Sequence, residues 1–414
     1  MNPTIHCETY ANGLVLLAEP MPWLESAAFT LLAPAGCAFE PDDRGGLSEF
    51  TCEMTLRGAG TRDSRQFIHD LDLLGVERSD AVTEAHIAYS GATLAGNLLR
   101  ALAIYADVVR APHVPDDQLE ASRLALLQDL RAVEDDPSEK TMIELRRHHY
   151  PAPWGRPPQG EVAAVEAITL EDIRRHVALH FHPNGTILGV AGNFNWPALK
   201  EAVGEYFGDW EPVPTVVPEE KPAARQTTHL AHESSQTHIG VAYPSVPYRH
   251  PDYFQAWGAV GVLSGGMSAR LFTELRERRG LCYTVYAVHH TVRDHGGVFC
   301  YSATSAERAQ ETLDVLLAEL NRLAQGVQEE ELARLKARIK SALIMQQESS
   351  TARSGSIARE FYHLGRARGL DELARLVDGL TRQSINQYLR KHPPSDFTVV
   401  TLGPEKLEVR IGVS

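Results

Sequence analysis

Landmarks recur along this chain at one fixed offset. Ile87-Ala88-Tyr89-Ser90-Gly91-Ala92-Thr93 reads as a strand end leading into a helical run from Leu94 to Val109. Phe299-Cys300-Tyr301-Ser302-Ala303-Thr304 leads in the same way into a run from about Arg308 to Ala324. Ser90 and Ser302 are 212 positions apart, and Leu119 and Leu332, each at the opening of the next helix, are 213 apart. Ile168-Thr169-Leu170-Glu171-Asp172-Ile173 and Leu380-Thr381-Arg382-Gln383-Ser384-Ile385 are again 212 apart. Each is followed by a helix and a β-rich run ending in glycine, at 186–192 and 398–403. One α+β unit of about two hundred residues is therefore present twice, close to the upper end of ordinary domain size.

The break between the copies is a charged, glycine-free run holding Pro212, Pro214, Pro218 and Pro222, the composition of a stiff, exposed linker. The expected organisation is an N-terminal domain over 1–210, a linker over 211–225 and a C-terminal domain over 226–414. Leu14–Ala18, Ala27–Ala33 and His238–Tyr243 are β-like runs, and long helical runs alternate with further strands. This order fits two tandem homologous domains, each a mostly antiparallel sheet with helices packed on one face. With 43% hydrophobic and 23% charged residues, the chain is a cored globular protein. A net charge of -14 argues against a nucleic-acid or anionic-membrane surface. No apolar stretch approaches the ~18 residues of a membrane span, and residues 1–7 lack the pattern of a signal peptide. The five cysteines are scattered and never spaced C-x-x-C, as expected of reduced thiols in a cytoplasmic protein.

Two stretches carry candidate chemistry. In 45–58, a glycine pair opens a segment in which Leu47, Phe50 and Met54 recur at helical spacing and Gly58 lies past the end. In the second half, Phe272–Arg279 reads as a helix, Gly280 as its left-handed stop and Leu281–Val288 as a strand. Arg276, in the last turns of that helix, and Tyr283, at the start of the strand, can lean toward one cavity. The run Ser264-Gly265-Gly266-Met267-Ser268 before them lacks the spacing and the lysine of a phosphate loop.

These stretches, with Asp135-Asp136-Pro137, Tyr150-Pro151, Phe181-His182-Pro183-Asn184 and His250-Pro251-Asp252-Tyr253, resemble the M16 peptidase family along essentially the whole chain. The family includes pitrilysin, insulinase and mitochondrial processing peptidase, and the likeness is greatest to its short bacterial M16B subunits. The resemblance implies the M16/LuxS-like metallopeptidase fold and, in active members, an H-x-x-E-H helix with a zinc ion and a water-activating glutamate. Here the two histidine positions are Glu49 and Glu53, and the general-base position is Cys52. The third ligand position, fixed in register by Arg123 and Asp135-Asp136-Pro137, is Ser122. No metal is therefore expected in this chain. Glu49, Cys52 and Glu53 share a helix face, and a solvated acidic face is the favoured reading over a hard-metal site. His229/His232, His176/His180/His182, His148/His149 and His289/His290 are likewise read as surface or satisfied histidines rather than ligands.

What the resemblance implies to be retained is Arg276 with Tyr283, a pair that closes over the substrate and donates hydrogen bonds to a carbonyl oxygen gaining negative charge. The combination implies the non-zinc subunit of a heterodimeric peptidase. Its partner would be an M16B chain with intact H-x-x-E-H bearing zinc, and the pair would hydrolyse peptides in a shared chamber. Alone, the chain is expected to be inactive, with self-pairing into a homodimer compatible with that role. The competing expectation is a structural or binding homologue similar to the core subunits of the respiratory bc1 complex.

Overall fold

Two sheets of matching strand order carry the repeat. The structure, a computed structural model, describes residues 4–346 and 348–410. In the first sheet the order is His6–Thr9, Val15–Pro20, Ile187–Gly192, Ser26–Ala33, Ile87–Leu94, Glu77–Val82. In the second it is Thr227–Ala231, Thr398–Gly403, Gln236–Ser245, His295–Ser305, Cys282–Val292. In each sheet a single strand pair is parallel, with Val15 opposite Ile187 in one and Thr227 opposite Val399 in the other. Both members of that register are displaced by 212 positions, so the duplication extends to strand pairing. The helix caps repeat as well. Thr169 closes a capping box with Asp172, and Thr381 closes one with Ser384, each satisfying N-terminal amides that the helix itself leaves unpaired. The architecture is α+β with mostly antiparallel sheets, and no described helix is long and apolar enough to cross a membrane.

The compact units are not the contiguous halves 1–210 and 226–414. One consists of residues up to Arg131, Arg156–Glu219 and Leu343–Glu372. The other consists of Ala132–Gly155, Glu220–Ala342 and the chain from Leu373 onward. The helix Ser350–Leu364 of the second half thus lies on the first sheet. Its backbone comes so close that a Cβ on Gly189 would stand 2.3 Å from the carbonyl oxygen of Ser354. Thr30 and Ser354 share a hydrogen bond of 3.1 Å across the same contact. The helix Pro137–His149 of the first half occupies the equivalent place on the second sheet. There Leu145 and Thr141 lie 3.1 and 3.2 Å from where a Cβ on Gly240 would be, and His149 Nδ1 meets Thr398 Oγ1 at 3.2 Å.

This exchange also places a helix on the other face of the first sheet. In the first sheet Leu16, Ala18, Phe29 and Leu31 pack against the helices Leu98–Arg110 and Trp196–Phe207. The alternate residues Val15, Leu17, Leu32 and Ile187 pack against Ile357 and Ala358 of the exchanged helix. Side chains on a strand alternate between faces, so a strand apolar at every position is one covered on both. Beside that apolar contact, Arg353 is buried and donates Nε–H to Glu19 at 2.8 Å, with a terminal nitrogen in ion-pair contact with the same carboxylate at 2.6 Å.

Two outcomes are expected. Glu19→Ala strands a buried guanidinium and should cost ~3–5 kcal/mol by chemical denaturation, whereas Glu19→Ala with Arg353→Met should recover most of it. A fragment ending in the linker exposes Val15, Leu17, Leu32 and Ile187. At ~1.5–3 kcal/mol per side chain this loss rivals a domain's whole stability of ~5–15 kcal/mol. The fragment should be poorly folded alone by circular dichroism and should gain structure on co-expression with the second half.

Candidate functional site

The helix Leu47–Thr55 forms where its apolar spacing places it, with Leu47, Phe50 and Met54 packed against Leu126, Leu127 and Leu130 of the helix Leu119–Glu134. Gly46 enters it with φ 95°, a conformation glycine adopts freely. No side chain at the cap position serves the first amides. Glu40 does so from outside the helix, its buried carboxylate accepting from the N–H groups of Gly46 (3.1 Å) and Ser48 (2.7 Å). Burial pushes the Glu40 carboxyl up to about 7 against the pull of those bonds. The pattern around 45–58 carries no sign of this acid, because it lies in the preceding loop.

The four positions where zinc chemistry would stand are now assigned surroundings. Glu49 is half-buried, and burial first, then the charges of Asp80, Asp129 and Glu53, raises its carboxyl to about 7. Glu53 is paired with Arg57 one turn on. Cys52 is buried, its sulfur 3.7 Å from Asp80 Oδ2, and burial followed by the charge of Asp80 pushes the thiol well above its ordinary range. It is therefore a protonated thiol, neither a base nor a thiolate ligand. Ser122 is fully buried, and its Oγ has no hydrogen-bond partner. Among the described residues, Glu49, Cys52 and Glu53 do not bring three ligand atoms within 4.8 Å of one another. Zinc does not fit this set: it lacks imidazole and thiolate, one carboxylate is held by arginine, and the other resists ionisation. The sequence reading of the helix face omitted Asp80 and Asp129. They reach it from a strand and from the neighbouring helix, and adjacency in space is not visible in a helical period.

Arg276 and Tyr283 are brought together. The segment Phe272–Arg278 is π-helical rather than α-helical, a wider winding that recurs at functional positions. Gly280 ends it at φ 59°, and Leu281 N–H returns to the carbonyl of Leu275 at 2.7 Å. The strand Cys282–Val292 starts directly afterwards. The Arg276 guanidinium carbon lies 4.8 Å from the Phe272 ring centre and 4.5 Å from that of Tyr283. Two cation–π contacts therefore fix the arginine plane. None of its guanidinium N–H groups is used by a hydrogen bond or ion pair among the described residues, and Tyr283 is 80% exposed. In the same segment Glu274 is buried and held by Arg278 at 2.6 Å.

Several of the histidines singled out by spacing have hydrogen-bond partners. His176 Nε2 donates to the Ala35 carbonyl (3.1 Å), and burial pushes His176 down to about 4 and His180 to about 3. His289 meets Ser245 at 2.9 Å, His290 meets Tyr150 at 3.0 Å, and His229 meets Thr401 at 2.9 Å. A cluster that spacing did not suggest joins His250, Asp252 and His392, with ligand atoms within 4.8 Å. There Asp252 N–H donates to Nδ1 of His250 at 3.1 Å. The ring proton of the neutral imidazole is therefore on Nε2, and the lone pair a metal needs is already engaged.

The raised carboxyl of Glu49 has a readable consequence. An acid whose folded pKa lies above its unfolded value binds more protons folded than unfolded, so its contribution to stability falls as pH rises from ~4.3 toward 7. Glu49→Gln should therefore match the parent at pH 4.5 and exceed it at pH 8, by on the order of 1–2 kcal/mol in urea denaturation. Equal stabilities at both pH values would show that Glu49 titrates normally.

Comparison with known proteins bears on the whole chain. Residues 16–152 match the family described as insulinase, peptidase family M16, and residues 167–339 match the peptidase M16 inactive domain. An uncharacterized zinc protease of Rickettsia felis is 23% identical over 415 residues, covering 98% of this chain and 99% of its own. The uncharacterized zinc protease YmxG of Bacillus subtilis is 24% identical over 402 residues, covering 96% and 97%. The crystal structure of a peptidase M16 inactive domain from Pseudomonas fluorescens has a TM-score of 0.90 at 20% identity, covering 98% of this chain and all of that one. With the duplicated sheets and the two matched segments, the chain belongs to the M16 peptidase family.

Proposed function

We propose that this chain is the non-zinc subunit of a two-chain M16 peptidase, and that it presents Arg276 and Tyr283 to a peptide whose hydrolysis uses the zinc of a partner with intact H-x-x-E-H. The observation that carries this reading is the state of Arg276. It is oriented by two aromatic rings, with its donors free, in a chain whose ligand positions are Glu49, Glu53 and Ser122 and whose base position is Cys52. A purely structural arginine at a helix end would be expected to spend its donors on carbonyls or carboxylates nearby. Here they remain available to a ligand.

The role follows from the chemistry of the two groups. The guanidinium and the phenol both donate, and a peptide carbonyl accepts more strongly as its oxygen becomes anionic. Donors fixed in place before the reaction stabilise that charge without reorganising during it. The five free cysteines suit a reducing cytoplasm, which is where this reading places the pair. Self-pairing of the isolated chain is compatible with it, since the subunits of such an assembly share one fold.

The test is a mixing assay. The purified chain should hold no stoichiometric zinc by elemental analysis and should leave a quenched peptide library uncut. Adding an M16B chain with H-x-x-E-H should produce cleavage. In the mixture Arg276→Ala should lower kcat/KM by roughly 10²-fold, equivalent to ~3 kcal/mol of transition-state stabilisation, with zinc content unchanged. Stoichiometric zinc and activity in the chain alone would overturn the reading. No cleavage with any such partner would favour a structural or binding homologue.

A further inference from the structure

Ser245 ends the strand Gln236–Ser245, and a histidine reaches it from the next strand but one. Ser245 lies opposite Gly296 of the strand His295–Ser305, and Gly296 lies opposite Thr291 of the strand Cys282–Val292. His289 stands two positions before Thr291, so its side chain shares their face of the sheet. Gly296 puts no side chain between them, and a Cβ there would stand 2.2 Å from the carbonyl oxygen of Val246. The ring therefore spans the intervening strand, and its Nε2 lies 2.9 Å from Ser245 Oγ.

The neighbours of Ser245 assign the protons of this contact. Tyr388, from the helix Arg382–Lys391, is buried and places its hydroxyl 3.0 Å from Ser245 Oγ. Burial pushes Tyr388 up, so it remains a phenol, and Ser245 is the one hydrogen-bond partner of its hydroxyl among the described residues. The phenol thus donates to Oγ, and Oγ, having a single proton, donates to Nε2. Burial lowers His289 to about 4, so at pH 7 the ring is neutral and able to accept. A hydroxyl within hydrogen-bond reach of an accepting imidazole is the arrangement that activates serine as a nucleophile. Ser245 is half-buried rather than sealed. Tyr253 adds an aromatic face beside the pair, its ring 5.2 Å from that of His289 and 4.4 Å from that of Tyr248. The peptidase reading uses none of these residues.

We propose that Ser245 and His289 form a second reactive site, which takes aryl esters of carboxylic acids. Oγ bonds to the carbonyl carbon while its proton passes to Nε2. The bond from that carbon to the aryl oxygen then breaks, and the aryloxide leaves with the proton as a phenol. Water hydrolyses the acyl-serine, which restores the hydroxyl and releases the carboxylic acid. Amides, with a far poorer leaving group, stay uncut, so the site is compatible with a chain that leaves peptides intact. The chain alone, in chelator to exclude zinc chemistry, is treated with a fluorophosphonate, which phosphonylates a nucleophilic Oγ with loss of fluoride. Intact mass should show one adduct, and peptide mapping should place it on Ser245. The treated chain should no longer release nitrophenol from p-nitrophenyl acetate, which the untreated chain does. Ser245→Ala should take up no probe, and His289→Gln should slow uptake by roughly 10²-fold. No adduct, an adduct on another residue, or unchanged uptake by His289→Gln would overturn the proposal and leave the peptidase reading untouched.

Discussion

The rest of the structure depends on how closely one helix lies on a sheet from the other half of the chain. At Gly189 the strand carries no side chain, and the helix Ser350–Leu364 descends until its backbone occupies that space. The contact is anchored beside the glycine by a guanidinium and a carboxylate, both almost fully buried. Close approach removes water from the apolar residues on that face, and the ion pair then sits where its mutual attraction is least screened. The second sheet is covered in the same manner at Gly240 by the helix Pro137–His149. A tandem duplication read along the chain gives two domains side by side. Its packing gives two units each completed by a helix from the other half, so neither sheet has all its covering helices until both halves are present.

Much of this was legible in residues. The 212-position offset is present in the letters and reappears in strand register, in capping threonines and in the order of both sheets. The helix at 47–55, the glycine stop at 280 and the strand after it formed where spacing and glycine placed them. The helix exchange was not legible. An amphipathic period states which face of a helix is apolar, not which sheet will cover it. The acids around Glu49 were half legible for the same reason. Glu53 shares its helix face, whereas Asp80 and Asp129 arrive from other elements. His250 and His392 meet only in the fold, 142 positions apart in the chain.

Replacing imidazoles by carboxylates changes more than the number of ligands. An imidazole is neutral at pH 7 and offers a lone pair to a metal without accumulating charge. Glutamates at both positions, with Asp80 and Asp129 nearby, place several negative charges in one partly dehydrated region. The chain relieves that repulsion in two ways. Arg57 neutralises Glu53, and Glu49 resists ionisation until about pH 7. Both adjustments withdraw the groups from metal binding, since one is occupied and the other tends to keep its proton. The helix thus keeps its packing in the fold while neither glutamate is left available to a metal.

Arg276 shows the opposite treatment of a charged side chain. Its neighbours do not neutralise it. Phe272 and Tyr283 hold its plane through their ring faces, which attract the cation yet accept none of its N–H groups. A carboxylate in their place would have given a stronger contact and taken the donors with it. Aromatic support is therefore the arrangement that fixes a guanidinium while leaving its hydrogen bonds unspent. The π-helical winding contributes by carrying Phe272 and Arg276, four residues apart, into contact just before the Gly280 turn returns the chain toward Tyr283. Placement by ring faces with donors left free is what the proposed stabilisation of a developing oxyanion requires.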